Sequence, residues 1–213
     1  MGVIASEQVA TIVWTAVPAH ELRVGDWSNF EEVHQAVMSL FDRALPGEEG
    51  VRRAEAGILF RVDDTPAGKV VLVQSAAAPS RPTSGAVVKD VSVLLRLRPG
   101  TLVRFRVAVN AVTRNSVTTD KRRVVERPVA ETEVGAWLAG RLAPGLKQMS
   151  GINSRRVVNV LRRGKNRGRA LQVDVVDGVG VVGDPGRLAE LMLSGVGRGR
   201  SYGCALLTIA PIG

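Results

Sequence analysis

Nothing constrains this chain more than the order of signals between Asp184 and Ile209. Asp184 is placed to cap a helix whose first residue is Pro185. The helix reads on to Leu193, and Gly195 marks its stop. Gly195, Gly197, Gly199 and Gly203 then alternate with Arg198 and Arg200, and Cys204 to Ile209 is a short apolar run of the kind that forms a buried strand. The order is helix, glycine loop, strand. A glycine loop that binds a dinucleotide follows a strand and opens a helix, so that phosphate meets the helix N-terminus. Here the loop closes a helix, and the nucleotide-cofactor reading fails on context. What remains is a cationic loop whose backbone can approach another group closely. Its two guanidinium groups suit phosphate.

Charge is divided unevenly along the chain. Residues 1–95 hold 8 Lys or Arg against 12 Asp or Glu, a net of −4, whereas residues 96–213 hold 21 against 8, a net of +13. An asymmetry of this kind points to a polyanionic partner for the second half. Arg155, Arg156, Arg162, Arg163, Lys165, Arg167 and Arg169 concentrate it, with no acidic residue among positions 155–169. Uncompensated charges that close repel each other unless phosphates lie between them. Arg114, Lys121, Arg122 and Arg123 form a lesser basic stretch, read as a rim or a mobile loop. The apolar runs fall short of a membrane span, and no signal-peptide core follows Met1, so a cytoplasmic protein is expected. The single cysteine, Cys204, excludes an internal disulfide and a cysteine-based metal site.

Read in order, the first half gives a strand at Gln8–Val17 and a helix from Asn29 to about Leu40. Ser28 and Glu31 would form the capping box of that helix. Strands follow at Gly57–Val62 and Lys69–Gln74, then an irregular Ala-Pro-Ser stretch and a strand within Val88–Leu97. Pro99-Gly100 marks a boundary. A strand at Thr101–Val112, a helix at Glu131–Leu142, the basic segment from Ser154, and Leu171–Val182, read as a strand pair broken at Asp177-Gly178, precede the final helix, loop and strand. Both halves approach strand, helix, strand, strand, helix, strand. The expected fold is α+β: two tandem ferredoxin-like βαββαβ domains, residues 1–98 and 99–213.

Two histidines are present, His20 in a loop and His34 on the first helix. At roughly 100° per residue, His34 lies about 40° from Phe30, on the edge of the apolar arc. Spacing alone favours a packed histidine and leaves proton transfer as the alternative. Two histidines without an acidic cluster make no zinc site, and no metal or cofactor is expected. Phe105 is the only ring in a strand suited to stacking a base, so backbone and groove contact with a structured polyanion fits better than base stacking.

The segment Val33-His34-Gln35-Ala36-Val37-Met38-Ser39-Leu40-Phe41 resembles the first-helix motif of the CasE family, the repeat-RNA endoribonucleases of type I-E CRISPR systems. Ile58–Val62 and Val71–Ser75 resemble its next two strands, and Gly203-Cys204-Ala205-Leu206-Leu207 resembles its terminal loop, with Ala205 where the family has glycine. The resemblance implies that His34 drives metal-independent cleavage of a repeat hairpin at the 3′ side of its base. Attack by the neighbouring 2′-hydroxyl would leave a 2′,3′-cyclic phosphate. It further implies that the protein stays on the mature crRNA and joins the other Cascade subunits. A non-catalytic RNA-binding subunit is the alternative. A tyrosine is common in the family one turn before the histidine; Glu31 stands there in this chain. The residues expected to contact RNA are Arg155, Arg156, Arg162, Arg163, Lys165, Arg167, Arg169, Arg198 and Arg200.

Overall fold

The structure is a computed structural model and describes residues 11–41, 56–117, 123–160, 168 and 170–213. In the first unit, strands β1 (Val13–Pro18), β2 (Leu59–Thr65), β3 (Gly68–Ser75) and β4 (Val87–Asp90) form one antiparallel sheet in the order β2-β3-β1-β4. Helix α1 (Phe30–Met38) lies between β1 and β2 in the chain. Val33 and Val37 of α1 bury against Val17, Phe60, Val71 and Val73, so alternate residues of each strand and one stripe of the helix share a core. The β2–β3 hairpin closes tightly around Pro66-Ala67, with Thr65 opposite Gly68, so both strands run further than their apolar stretches indicated.

The second unit repeats the plan. Strands β5 (Leu102–Val109), β8 (Leu146–Val160), β9 (Ala170–Val182) and β10 (Leu207–Pro211) form a sheet in the order β10-β5-β9-β8. Helices α2 (Val134–Leu142) and α3 (Pro185–Ser194) contribute Leu138, Leu142, Leu188 and Met192 to its core. In both sheets the fourth strand lies beside the first and the third beside the second, which is the ferredoxin-like arrangement. An inserted hairpin, β6 (Val112–Val117) and β7 (Arg123–Pro128), forms a two-stranded sheet of its own among the described residues.

Four expectations change. The stretch Val88–Leu97 is not one strand: β4 ends at Asp90, and Ser92–Arg96 forms a 3-10 helix. Leu94, Leu95 and Leu97 pack on the core of the second unit, and that burial ends the strand. The polar stretch Thr113–Pro128 contains the β6–β7 hairpin rather than a plain loop, although Lys121 and Arg122 lie outside the described residues. The predicted break at Asp177-Gly178 is absent, and β9 is continuous through it. Gly178 is there because the Phe105 ring crosses it: a Cβ would stand 2.6 Å from Phe105 Cζ. β9 pairs with β5 on one side and on the other with β8, a strand of 15 residues with register shifts between Lys147 and Asn153. The fourth change is the cap of α1, described with the site below. Phe105 is buried on the core face and offers no stacking surface.

The two units are joined by polar contacts across their facing sheets. Arg61 of β2 is 3% exposed and holds Asp63 with two hydrogen bonds, at 2.8 and 2.9 Å. Its Nη1 also donates to the carbonyl oxygens of Arg106 and Leu206 and to Thr208 Oγ1. Gln74 Nε2 donates to the Met192 carbonyl at 2.7 Å. These contacts set where the segment between α3 and β10 lies relative to the first unit.

Candidate functional site

Helix α1 starts one residue later than its sequence suggests. Asn29 is the N-cap: its Oδ1 accepts from the amides of Glu31 and Glu32 at 3.2 and 3.4 Å. The reciprocal partner is Glu32, which accepts from Asn29 Nδ2 at 2.8 Å and from the amides of Gly25 and Asp26. Ser28 instead donates its amide and hydroxyl to Asp26 Oδ1, at 2.9 and 2.6 Å. In place of the expected Ser28–Glu31 capping box, Asn29 caps the helix and Glu32 holds the Asn29 side chain, because Asp26 takes the serine and the Asp26 carbonyl accepts from the Asn29 amide. Glu31 is left outside the cap, in the first turn of the helix. Its Oε2 is buried and has no hydrogen-bond partner among the described residues.

His34 lies one turn further along α1, part-buried. Its ring stacks on Phe60 at 6.3 Å between centroids and 24° between planes. Phe60 is fully buried on β2 and also meets the glycine loop, since a Cβ on Gly203 would stand 3.2 Å from Phe60 Cε2. The loop leaves α3 through Gly195, at φ +78°, and the Asp184 cap and Pro185 start are as read from sequence. It then forms a 3-10 turn, Arg200–Tyr202, flanked by the left-handed glycines Gly199 and Gly203. The turn packs against α1. Glycine is needed at Gly199 and Gly203 because both have positive φ while their backbone lies against Cys204 and Phe60.

Ala205 is the exception to that rule, with φ +83° and no glycine to ease it. Its amide donates to the Ala108 carbonyl at 2.6 Å and its carbonyl accepts from Val196 at 2.9 Å, which holds it in the left-handed region. Cys204 beside it is wholly buried, and burial first, with Asp174 adding to it, pushes its thiol up to about 12.

The expected RNA-contact residues divide into four groups. Arg200 is exposed on the turn and makes no ion pair among the described residues. Arg198 pairs with Glu126 of the inserted hairpin, and Arg155 pairs with Asp64 across the two units at 3.0 Å with 58% of its side chain exposed. Hydrogen bonding from Lys69 foremost, with Arg155 adding to it, holds the Asp64 carboxyl below its usual range. Arg156 points to the opposite face of β8, as strand alternation requires. Its Nε donates to the buried Asp174 at 2.8 Å and its Nη2 to the Val129 carbonyl. That commitment removes Arg156 from the set able to meet phosphate. Arg162, Arg163, Lys165, Arg167 and Arg169 lie outside the described residues.

A cleft of about 330 Å³ opens where α1, β2, β8 and β9 meet. Trp27, Phe30 and Tyr202 line it together with Arg61, Lys69 and Arg155. No strand-based search for stacking rings finds these three, because they come from a loop, a helix start and a 3-10 turn. Among the described residues no three His, Cys, Asp or Glu side chains gather as metal ligands, and no helix is long and apolar enough to cross a membrane.

The fold and site define the class: an α+β protein of two tandem ferredoxin-like units whose histidine-bearing first helix packs against a cationic glycine loop. The chain belongs to the CasE family: the family model described as CRISPR associated protein matches residues 14–211. It is 30% identical over 212 residues to the CRISPR-associated endoribonuclease Cse3 of Thermus thermophilus, covering 91% of this chain and 96% of that one. It is 28% identical over 198 residues to the CRISPR system Cascade subunit CasE of Escherichia coli, covering 87% and 94%. Among solved structures, Cse3 bound to a 19-nucleotide RNA matches with a TM-score of 0.69 at 23% identity, over 95% of this chain and all of that one. The crystal structure of Escherichia coli Cas6e matches with a TM-score of 0.66 at 24% identity, over the same shares.

Proposed function

We propose that this protein is an endoribonuclease that cleaves CRISPR repeat RNA at the 3′ base of its hairpin, without a metal ion, and that His34 carries the proton transfer. The neighbouring 2′-hydroxyl attacks phosphorus, the 5′-oxygen leaves, and the upstream product ends in a 2′,3′-cyclic phosphate. An imidazole changes charge between about pH 5 and 8, and so suits either proton transfer. Exposed guanidinium groups offset the charge that builds on the phosphorane. The observation that carries the reading is the juxtaposition of His34 with Phe60 and the glycine loop, which brings the sole α1 histidine beside the turn bearing Arg200. The relatives named an endoribonuclease and a Cascade subunit support the same substrate and the same assembly.

In this reading Arg155, Arg198 and Arg200, with Arg162, Arg163, Lys165, Arg167 and Arg169, hold the RNA backbone, and the functional units divide near Pro99-Gly100. The product stays bound and carries the protein into Cascade. The test is single-turnover cleavage of a repeat hairpin in excess EDTA. Wild type should cut and leave a cyclic phosphate; His34→Ala should lose cleavage by about 10²–10⁴-fold while RNA affinity stays within a few fold. A mutant that cuts at the wild-type rate would make His34 a packing residue. Strict dependence on Mg²⁺ would overturn the metal-independent chemistry.

A further inference from the structure

The carboxylate of Glu31 takes no part in the cap of α1. Asn29 and Glu32 complete the helix cap without it, and its Oε2 is buried with no donor among the described residues. An unsatisfied buried carboxylate oxygen is costly, and such groups persist where a donor arrives with a ligand. The other carboxylates near α1 are occupied. Glu32 serves the cap, Asp63 is held by Arg61, and Asp64 by Lys69 and Arg155. Glu31 also stands three residues before His34 on α1, and side chains at that spacing are neighbours on a helix surface, with Cβ atoms about 5–6 Å apart.

A negative group next to an RNA phosphate would weaken binding unless it did something in return. The turn packed on α1 carries Arg200, exposed and without an ion pair among the described residues, and so adds a cationic group on the side of α1 that the turn covers. The donor a 2′-hydroxyl cleavage brings to the site is the hydroxyl itself.

We propose that Glu31 is the general base of the reaction and His34 its general acid; this rests on the reading that His34 drives RNA cleavage. The Glu31 carboxylate takes the 2′-hydroxyl proton as the 2′-oxygen bonds to phosphorus. The bond from phosphorus to the 5′-oxygen breaks, and that oxygen takes a proton from the His34 imidazolium. The products are a 2′,3′-cyclic phosphate and a 5′-hydroxyl. The protonated carboxyl and the neutral imidazole then return to their starting states by exchange with water.

The experiment uses two hairpin RNAs, one natural and one with sulfur replacing the bridging 5′-oxygen at the phosphate the wild-type protein cuts. A thiolate leaves without a proton, so the sulfur RNA needs the base but not the acid. On the natural RNA, Glu31→Gln and His34→Ala should each slow single-turnover cleavage by about 10²–10⁴-fold. On the sulfur RNA, His34→Ala should recover to near the wild-type rate and Glu31→Gln should stay slow. Glu31→Asp, which keeps the carboxylate, should fall between wild type and Glu31→Gln on both substrates. Hairpin affinity within a few fold of wild type would show that each variant is folded. Glu31→Gln cleaving the natural RNA within about threefold of wild type would overturn the proposal. So would its recovery on the sulfur RNA, which would make Glu31 the acid. His34→Ala unimpaired on the natural RNA would instead overturn the nuclease reading itself, and the two failures appear in different variants.

Discussion

Arg61→Ala should separate the energetics of the fold from those of the site. Arg61 is nearly buried, pairs with Asp63 through both Nε and Nη2, and donates to three acceptors on the second unit. Removing the guanidinium deprives the Arg106 and Leu206 carbonyls of a buried donor and leaves Asp63 short of its main partner. Truncating one side of a buried pair costs about 3–5 kcal/mol. Asp63 keeps 15% of its side chain exposed and has Arg106 Nη1 at 3.7 Å, so the loss should fall at the lower end, about 3 kcal/mol. Urea unfolding followed by circular dichroism measures it. Replacing both partners, as Arg61→Met with Asp63→Leu, should recover much of the loss, because an apolar pair carries no desolvation cost. The single variant should also slow RNA cleavage, since Leu206 ends the loop that lies over Phe60. A loss below about 1 kcal/mol would refute the reasoning and place the junction energy elsewhere.

Ala205→Gly should stabilise the protein by about 0.5–1 kcal/mol, because relief of the left-handed backbone outweighs the extra freedom of glycine in the unfolded chain; a lower urea midpoint would contradict this. Gly203→Ala should destabilise by about 1–2 kcal/mol and push Phe60 against His34, so cleavage should fall even where the protein remains folded. Cys204 should resist a thiol reagent at pH 8 until the protein is unfolded. Its raised folded value makes stability fall as pH rises from the unfolded cysteine range, about 8.5, towards 12, and rapid labelling of the native protein would oppose its burial. Replacing Arg155, Arg162 and Arg163 with Ala should lower the slope of log K against log salt by roughly 0.7–0.9 for each phosphate no longer neutralised, and an unchanged slope would move the RNA path away from this segment.

Helix α3 shows what a local stretch can reveal. Asp184, Pro185 and Gly195 each act within a turn of themselves, and the helix they predict is the helix observed. The apolar arc of α1 was legible for the same reason, and with it the part-buried position of His34. The cap of α1 was not, because Ser28 and Asn29 are both competent caps and the choice lay with Asp26, which captures Ser28. In the basic segment, adjacent arginines have opposite fates: Arg155 faces the first unit, whereas Arg156 neutralises Asp174 on the next strand. Charge counting cannot see that difference, since it depends on the register of β8 against β9.

By itself the sequence determined the periodicities, the cap and stop of α3, the cationic second half and the family motif, all of which are read from the chain without knowing its partners in space. Tertiary structure alone decided which groups meet. Phe105 crosses Gly178, Arg61 bridges the sheets, and Gly203 lies on Phe60 beneath His34. It also left Glu31 buried without a donor among the described residues, one turn from that histidine. Such pairings join residues far apart in the chain, and packing and strand register, not local propensity, set their distances.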